Sequence, residues 1–449
     1  MIAAPSSGSG KTTVTMGLIR ALKNRGLDVC GYKVGPDYID PAFLAAASGK
    51  PARNLDLHLQ GEHGVAYSIA QANSGYGVIE GVMGYFDGIY NTWQNSSYHI
   101  STLLEVPTVL VYTPKGEMFS AIPKIKGMAE FEDSMIQAVI FNNVSQHYYE
   151  LLKDAVERHT DLRVLGFAPK MEEVKLKSRH LGLVQSVEIS NLDQKIERIA
   201  ETIEEHVDIS ALIEIMQECK IYFAKEQIKI CTPMQNKFCT PKRNLMVAVA
   251  KDQAFSFYYT ENLQLLEEVC QVVYFSPLQD KALPPCDLLY LGGGYPEVFN
   301  KELSHNTPML SSIKSYAERG GCIYAECGGF MYLTEYVEDA RMVGIFRGKT
   351  HLTPKLQRFG YVDIELKKDC LLGCAGDRLT GHEFHKSVSE LEGETVYTIR
   401  KTMGTKTWEC GYIYKNVLAG YPHISFIGYP EMLDNMLNYV EKKRKNLCT

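Results

Sequence analysis

Two short stretches hold residue types that chemistry needs. The first is Ser7-Gly8-Ser9-Gly10-Lys11-Thr12-Thr13, close to the start of the chain and preceded by Pro5-Ser6. Small residues let successive backbone N–H groups close around an anion at a helix N-terminus, Lys11 would reach the terminal phosphates of a nucleotide, and Thr12 offers a hydroxyl to Mg²⁺. Pro5 stands where the usual pattern has a glycine, so the motif leans on its setting: Met1–Ala4 before it and Val14-Thr15-Met16-Gly17-Leu18-Ile19 after it read as strand, loop and helix. The second stretch is Glu326-Cys327-Gly328-Gly329, where an apolar strand enters a tight corner and an apolar helix start leaves it. Such a corner is the thiol analogue of a nucleophile elbow: it projects the side chain and offers following backbone N–H groups, such as that of Gly328, to an oxyanion. A cysteine at a helix N-terminus also has its thiolate favoured by the dipole.

A thiol nucleophile needs a base, and three histidines could supply one: His382 and His385 in Gly381-His382-Glu383-Phe384-His385, and His423 in Gly420-Tyr421-Pro422-His423-Ile424-Ser425. The residues alone leave that choice open. The spacing of the first two is not H-E-x-x-H, and no Cys/His cluster accompanies them to suggest zinc. In the first half, Lys33-Val34-Gly35-Pro36-Asp37-Tyr38-Ile39-Asp40-Pro41 is too rich in Gly, Pro and Asp to continue an element, and it follows a strand end, where open α/β sheets place their ligands. Tyr76–Gly84 is another apolar strand with one carboxylate, Glu80, near its end. An unpaired acid is costly there, and a nucleotide-bound Mg²⁺ would offset that cost. Gly292-Gly293-Gly294 follows a further apolar run and brings backbone N–H groups close to a ligand or a neighbouring loop.

The elements that must position these groups read as two α/β halves. At 449 residues the chain exceeds one ordinary core. In the first half, strands are expected at Met1–Ala4, Asp28–Val34, Tyr76–Gly84, Val106–Tyr112, Ile136–Asn143 and Val164–Ala168, alternating with helical segments in the manner of a parallel sheet covered on both faces. The first strand looks cut short, with a start upstream of Met1 as one explanation. A helical pattern from Ser190 to about Cys219 and an aperiodic stretch from Lys225 to Arg243 precede the second half, which restarts with the strand Asn244–Ala250. The expected division is 1–205, a linker over 206–243, and 244–449. A net charge of −6 gives no basic footprint for nucleic acid or anionic membrane. No apolar run reaches the roughly 20 residues of a membrane span. A cytoplasmic protein with small-molecule partners is expected, its twelve cysteines mostly buried thiols.

Several strings resemble one family. Pro5–Thr13, Lys33–Pro41 continuing to Arg53-Asn54-Leu55-Asp56, Gly81-Val82-Met83-Gly84 with Asp87-Gly88, and Ser178-Arg179-His180-Leu181-Gly182-Leu183 resemble the amidating half of cobyrinic acid a,c-diamide synthases. Asp252–Tyr259, Gly292–Glu297, Ala325–Gly329 and Gly381–His385 resemble the same family's glutaminase half. The resemblance implies an α/β architecture: a P-loop parallel-sheet domain of the dethiobiotin-synthetase-like type, then a glutamine amidotransferase domain. It implies an ATP-dependent amide ligase of cobalamin biosynthesis that uses L-glutamine to amidate the a and c carboxylates of cobyrinic acid through acyl phosphates, with Mg²⁺ as its metal and a homodimer as a compatible assembly. Amidation of nickel sirohydrochlorin or of other corrin carboxylates is the alternative. By the same resemblance Ser7, Gly8, Ser9, Gly10, Lys11, Thr12 and Thr13 hold ATP and Asn142 faces the adenine, while Thr12, Asp40 and Glu80 hold the metal. Lys33, Asp37 and Tyr38 would lie near phosphate or substrate. Cys327 would be the nucleophile and His423 its base, with Gly293, Gly294 and Gly328 around the oxyanion and glutamine. Ser425 stands two residues after His423, where many triad amidotransferases carry a glutamate, which leaves the base without a carboxylate orienter.

Overall fold

The computed structural model describes residues 1–171, 186–189, 191–219 and 242–447. The string Ser178–Leu183 and most of the aperiodic stretch lie outside them. The chain divides into two compact units, Met1–Leu57 with Gly61–Ile230, and His58–Gln60 with Cys231–Thr449. Among the described residues no helix is long and apolar enough to cross a membrane.

The first unit is built on seven parallel strands: β1 (Ile2–Ala3), β2 (Val29–Val34), β3 (Arg53–Leu55), β4 (Tyr76–Glu80), β5 (Thr108–Tyr112), β6 (Ile136–Asn142) and β7 (Arg163–Ala168). They lie in the order β3-β2-β4-β1-β5-β6-β7. The two-residue β1 is central, pairing Ile2 with Glu80 on one side and with Val109 on the other. Alternation along β2 shows both faces covered. Cys30, Tyr32 and Val34 join a core with Val65, Ile100 and Leu104, whereas a Cβ on the intervening Gly31 would stand 2.8 Å from Leu44 on the other face. The strand β3 was not foreseen; it is three residues long and polar at two of them, too short for alternation to announce it.

Lys11–Asn24 forms the helix after the phosphate loop and buries Val14, Met16, Leu18, Ile19 and Leu22. It packs on the helix Leu192–His206 at Gly17, where a Cβ would come 2.7 Å from Ile203 Cγ1 and 2.8 Å from Ile199 Cγ2. Glycine to alanine normally strengthens a helix by about 1 kcal/mol. Here overpacking of about 1–3 kcal/mol outweighs that gain, so Gly17→Ala should lower the thermal unfolding midpoint, and a raised midpoint would contradict this packing.

The helix Ile209–Glu218 falls within the span expected to be linker. Asp208 caps it by accepting from the Ala211 amide at 2.9 Å, and burial of Ile209, Leu212 and Ile215 makes it part of the first unit.

In the second unit nine strands form one mixed sheet. Gln271–Phe275, Met246–Ala250, Leu288–Leu291, Cys322–Glu326 and Val417–Gly420 run parallel in that spatial order. Thr407–Tyr414, Glu394–Lys401, Arg358–Leu366 and Arg378–His385 extend it with antiparallel pairing. Cys322–Glu326 is therefore an interior strand, flanked on both sides by the elements that carry the other candidate residues.

Candidate functional site

The first unit gathers its polar groups at the C-terminal ends of β1, β2 and β4. Gly8 and Gly10 take left-handed backbone at φ 74° and 83°, which turns successive N–H groups inward. A Cβ on Gly10 would overlap the side-chain amide of Asn142. That amide donates to Ser9 O at 3.0 Å and Thr113 Oγ1 at 3.2 Å, bracing the loop from the end of β6. Lys11 is buried and donates to Met83 O at 2.5 Å and Ser6 O at 3.4 Å. Burial, with the Lys33 ammonium nearby, lowers its pKa to about 8.

Register sets the next contacts. Lys33 of β2 and Glu80 of β4 are direct partners across the ladder, and Lys33 Nζ bridges Glu80 Oε1 at 2.9 Å and Asp40 Oδ2 at 2.6 Å. Burial alone would lower the Lys33 pKa; the Asp40 and Glu80 carboxylates outweigh it and raise the value above that of an ordinary lysine. Glu80 is fully buried, which pushes its carboxyl up to about 7 against the opposing pull of Lys33. Thr12 Oγ1 donates to Glu80 Oε1 at 2.6 Å, and Glu80 Oε2 is buried with no hydrogen-bond partner among the described residues. A hydroxyl, an unsatisfied carboxylate oxygen and a neighbouring aspartate are hard oxygen donors suited to a Mg²⁺ that completes its shell with phosphate and water. The residues present therefore fit the metal expected from sequence.

Asp37 serves local structure in addition to any ligand. Its Oδ1 accepts from the Ile39 and Asp40 amides at 2.8 and 3.0 Å, tying down the start of the helix Asp40–Ser48, and burial with Asp40 nearby raises its pKa to about 6. Tyr38 beside it is half-buried.

In the second unit Cys327 has φ 46° and ψ −102°, a strained conformation for a non-glycine residue at the turn from strand to helix. Its amide donates to Gly420 O at 2.8 Å, holding the corner to the neighbouring strand. Glycines make the approach possible: a Cβ on Gly328 would stand 2.8 Å from Gly294 N and 2.9 Å from Pro296 Cδ, and one on Gly329 would stand 2.6 Å from Leu291 Cβ. A Cβ on Gly293 would meet the His423 ring, 3.0 Å from Nε2. Gly293 and Gly294 thus touch the base candidate with one residue and the corner of the nucleophile candidate with the next, where the Gly294 amide nitrogen lies beside Gly328.

Cys327 does not have the favoured thiolate expected of a helix N-terminus. Burial, with the Glu297 and Glu383 carboxylates nearby, raises its pKa far above the ordinary thiol value. The helix that follows is only six residues long, so its dipole cannot outweigh them. A thiol that rests protonated must give up its proton as it attacks, which makes a neighbouring base indispensable.

Of the three histidines, His385 is stacked on Tyr421 with ring centroids 3.7 Å apart, and its Nδ1 is 2.9 Å from Ser387 O. His382 exchanges backbone hydrogen bonds with His423 at 3.0 and 2.9 Å and lies among Phe359, Tyr361 and Phe384; burial and the neighbouring His423 lower its pKa to about 3. His423 alone of the three is set against Gly293. Sequence reasoning missed Glu326, whose Oε2 is 3.4 Å from His423 Nδ1. The expectation of a base without a carboxylate neighbour is corrected by that contact. Its signal was present in the chain, an acid ending an apolar strand one residue before the nucleophile.

Together these features define a two-part glutamine-dependent ligase, with a phosphate-loop nucleotide site in one unit and a thiol elbow in the other. Residues 1–184 match the CobQ/CobB/MinD/ParA nucleotide binding domain, and residues 246–430 match the CobB/CobQ-like glutamine amidotransferase domain. The chain is 48% identical to the cobyrinate a,c-diamide synthase of Clostridium acetobutylicum over 97% of its own length and 99% of the relative's. It is 45% identical to that of Clostridium tetani over 97% and 99%, and 40% identical to that of Streptococcus sanguinis over 98% and 99%. The chain belongs to the cobyrinate a,c-diamide synthase family.

Proposed function

We propose that this chain converts cobyrinate to its a,c-diamide, using ATP to activate each carboxylate and glutamine to supply each nitrogen. The first unit would perform the activation. A substrate carboxylate oxygen attacks the γ-phosphorus of ATP, the bond to the ADP oxygen breaks, and Lys11 balances charge on the transferring group. Mg²⁺, held by Thr12, Glu80 and Asp40, would supply further neutralisation of the phosphates when bound. Lys33 keeps the Glu80 and Asp40 carboxylates together, Asp37 and Tyr38 flank them on the substrate side, and Asn142 holds the loop at the adenine edge. Ser7, Gly8, Ser9, Gly10 and Thr13 supply the amides and hydroxyls around the phosphates.

The second unit would release ammonia. Cys327 Sγ attacks the side-chain carbonyl carbon of glutamine as its proton passes to His423 Nε2, and the carbonyl electron pair moves onto oxygen between the Gly294 and Gly328 amides. Collapse breaks the C–N bond, the proton on Nε2 leaves with the nitrogen as ammonia, and water hydrolyses the thioester to glutamate by the same base. Ammonia then displaces phosphate from the acyl phosphate.

The observation that carries this reading is the convergence of Cys327, His423 and the Gly293–Gly294 strand in a chain that also holds the Thr12–Glu80–Lys33–Asp40 cluster. Its test offers the purified protein cobyrinic acid, hydrogenobyrinic acid and nickel sirohydrochlorin with ATP, Mg²⁺ and glutamine, and follows product mass. Two carboxylate-to-amide changes on cobyrinic acid are expected. Amidation confined to nickel sirohydrochlorin would replace the substrate and leave the reaction class standing.

A further inference from the structure

Glu326 is a buried carboxylate with no lysine or arginine partner among the described residues. Its Oε1 accepts from Tyr324 Oη at 2.8 Å and from the Ile424 amide at 3.2 Å. Its Oε2 accepts from Tyr290 Oη at 3.1 Å and lies 3.4 Å from His423 Nδ1. Burial and this same carboxylate raise both tyrosines well above the ordinary phenol range, so they remain neutral donors. A buried carboxylate is costly unless hydrogen bonds and a cation satisfy it. Three donors surround this one, and an imidazole completes the set.

The ring opposite it is oriented from both sides. Nδ1 faces Glu326, while the Cε1–Nε2 edge faces Gly293, in the strand whose next residue abuts the corner of Cys327. Ser425, at the position where triad relatives place their acid, has a buried hydroxyl with no hydrogen-bond partner among the described residues and no charge to offer. Strand register explains the substitution: Glu326 pairs with Gly420, three residues before His423, so the acid arrives from the nucleophile's own strand. The 3.4 Å separation exceeds a formed N–H···O bond, and catalytic hydrogen bonds of this kind commonly tighten in the substrate complex.

We propose that Glu326 is the positioning residue of the glutaminase centre, holding His423 with Nδ1 protonated and Nε2 unprotonated, and stabilising the imidazolium formed when Nε2 takes the Cys327 proton. Glu326 takes no proton itself, and the proton on Nε2 passes on to the departing nitrogen. The role rests on the reading of Cys327 and His423 as the glutaminase pair. A neutral amide at this position would present either an N–H to the ring or a weaker acceptor, favouring the tautomer that cannot act as base.

The test uses the full chain with glutamine or an ammonium salt as nitrogen donor, together with ¹⁵N spectra of histidine-labelled protein in which His423→Gln assigns the signal. Glu326→Gln should lower kcat with glutamine by on the order of 10²–10⁴-fold with KM little changed, while ammonia-dependent synthesis continues. Glu326→Asp should recover at least about tenfold of that loss. The wild-type His423 signal should be that of an Nδ1-protonated ring. A wild-type ring protonated at Nε2 would overturn the proposal even if the variants failed to fold, as would Glu326→Gln with undiminished glutaminase turnover. Cys327→Ser assayed alongside separates the two levels. If it keeps glutamine-dependent synthesis, the glutaminase pair falls and the positioning role falls with it; if it loses that synthesis while Glu326→Gln keeps it, the positioning role falls alone.

Discussion

Cys327→Ser should reduce glutamine-dependent amidation by roughly 10³–10⁶-fold while an ammonium salt still supports product formation. The magnitude follows from the chemistry the thiol performs: without it no thioester forms, and a serine hydroxyl in the same place is a poorer nucleophile with a proton harder to remove. The selectivity follows from the proposed separation of tasks, since the acyl phosphate would be made at Lys11, Thr12 and Glu80 in the other unit and would accept ammonia from any source. Steric cost is small because serine is the smaller residue and the strained backbone at φ 46° is imposed by the Gly420 carbonyl and the flanking glycines rather than by the sulfur. Synthesis with both donors would be measured on one preparation. Equal loss with both, in a variant that melts like the wild type, would remove Cys327 from the role of nucleophile.

Lys11→Ala should show the other pattern, a fall on the order of 10³-fold with either nitrogen donor, because the acyl phosphate never forms. Its effect on stability should be small and of favourable sign. Burial lowers the Lys11 pKa to about 8, below its unfolded value, so binding the proton opposes folding at neutral pH. Removing the ammonium relieves that cost, offset by the two carbonyls, Met83 O and Ser6 O, that lose a donor. A thermal midpoint close to wild type together with lost ammonia-dependent synthesis is the expected pair of results. Near-normal amidation by the variant would mean that the loop does not bind the transferring phosphate.

Much of this was legible in the chain because the signals were local. Six of the seven parallel strands of the first unit are apolar runs bounded by Gly, Pro or Asp, and the phosphate loop and the Cys327 corner are written in consecutive residues. What escaped depends on register and burial. Lys33 read as a phosphate or substrate contact; its pairing with Glu80 across β2 and β4, which brings its ammonium against two carboxylates, is set by register and was not legible. Lys11 read as a contact to the terminal phosphates, and its burial was not legible. Cys327 read as a dipole-favoured thiolate, a local inference reversed by its burial, with the Glu297 and Glu383 carboxylates adding to it. Glu326 and His423 are separated by nearly one hundred residues and meet because two strands lie side by side. The antiparallel extension over 358–414 gave little warning, since its strands are only partly buried and are broken by charged residues.

The most direct measurement supplies the intact protein with cobyrinic acid, ATP, Mg²⁺ and glutamine labelled with ¹⁵N in its side-chain amide, and counts label in the product against ADP released. The account predicts a diamide carrying ¹⁵N at both new amides, one ADP and one glutamate for each, and no product when ATP is omitted. A product formed without ATP consumption, or label released as free ammonia with the macrocycle unchanged, would contradict it.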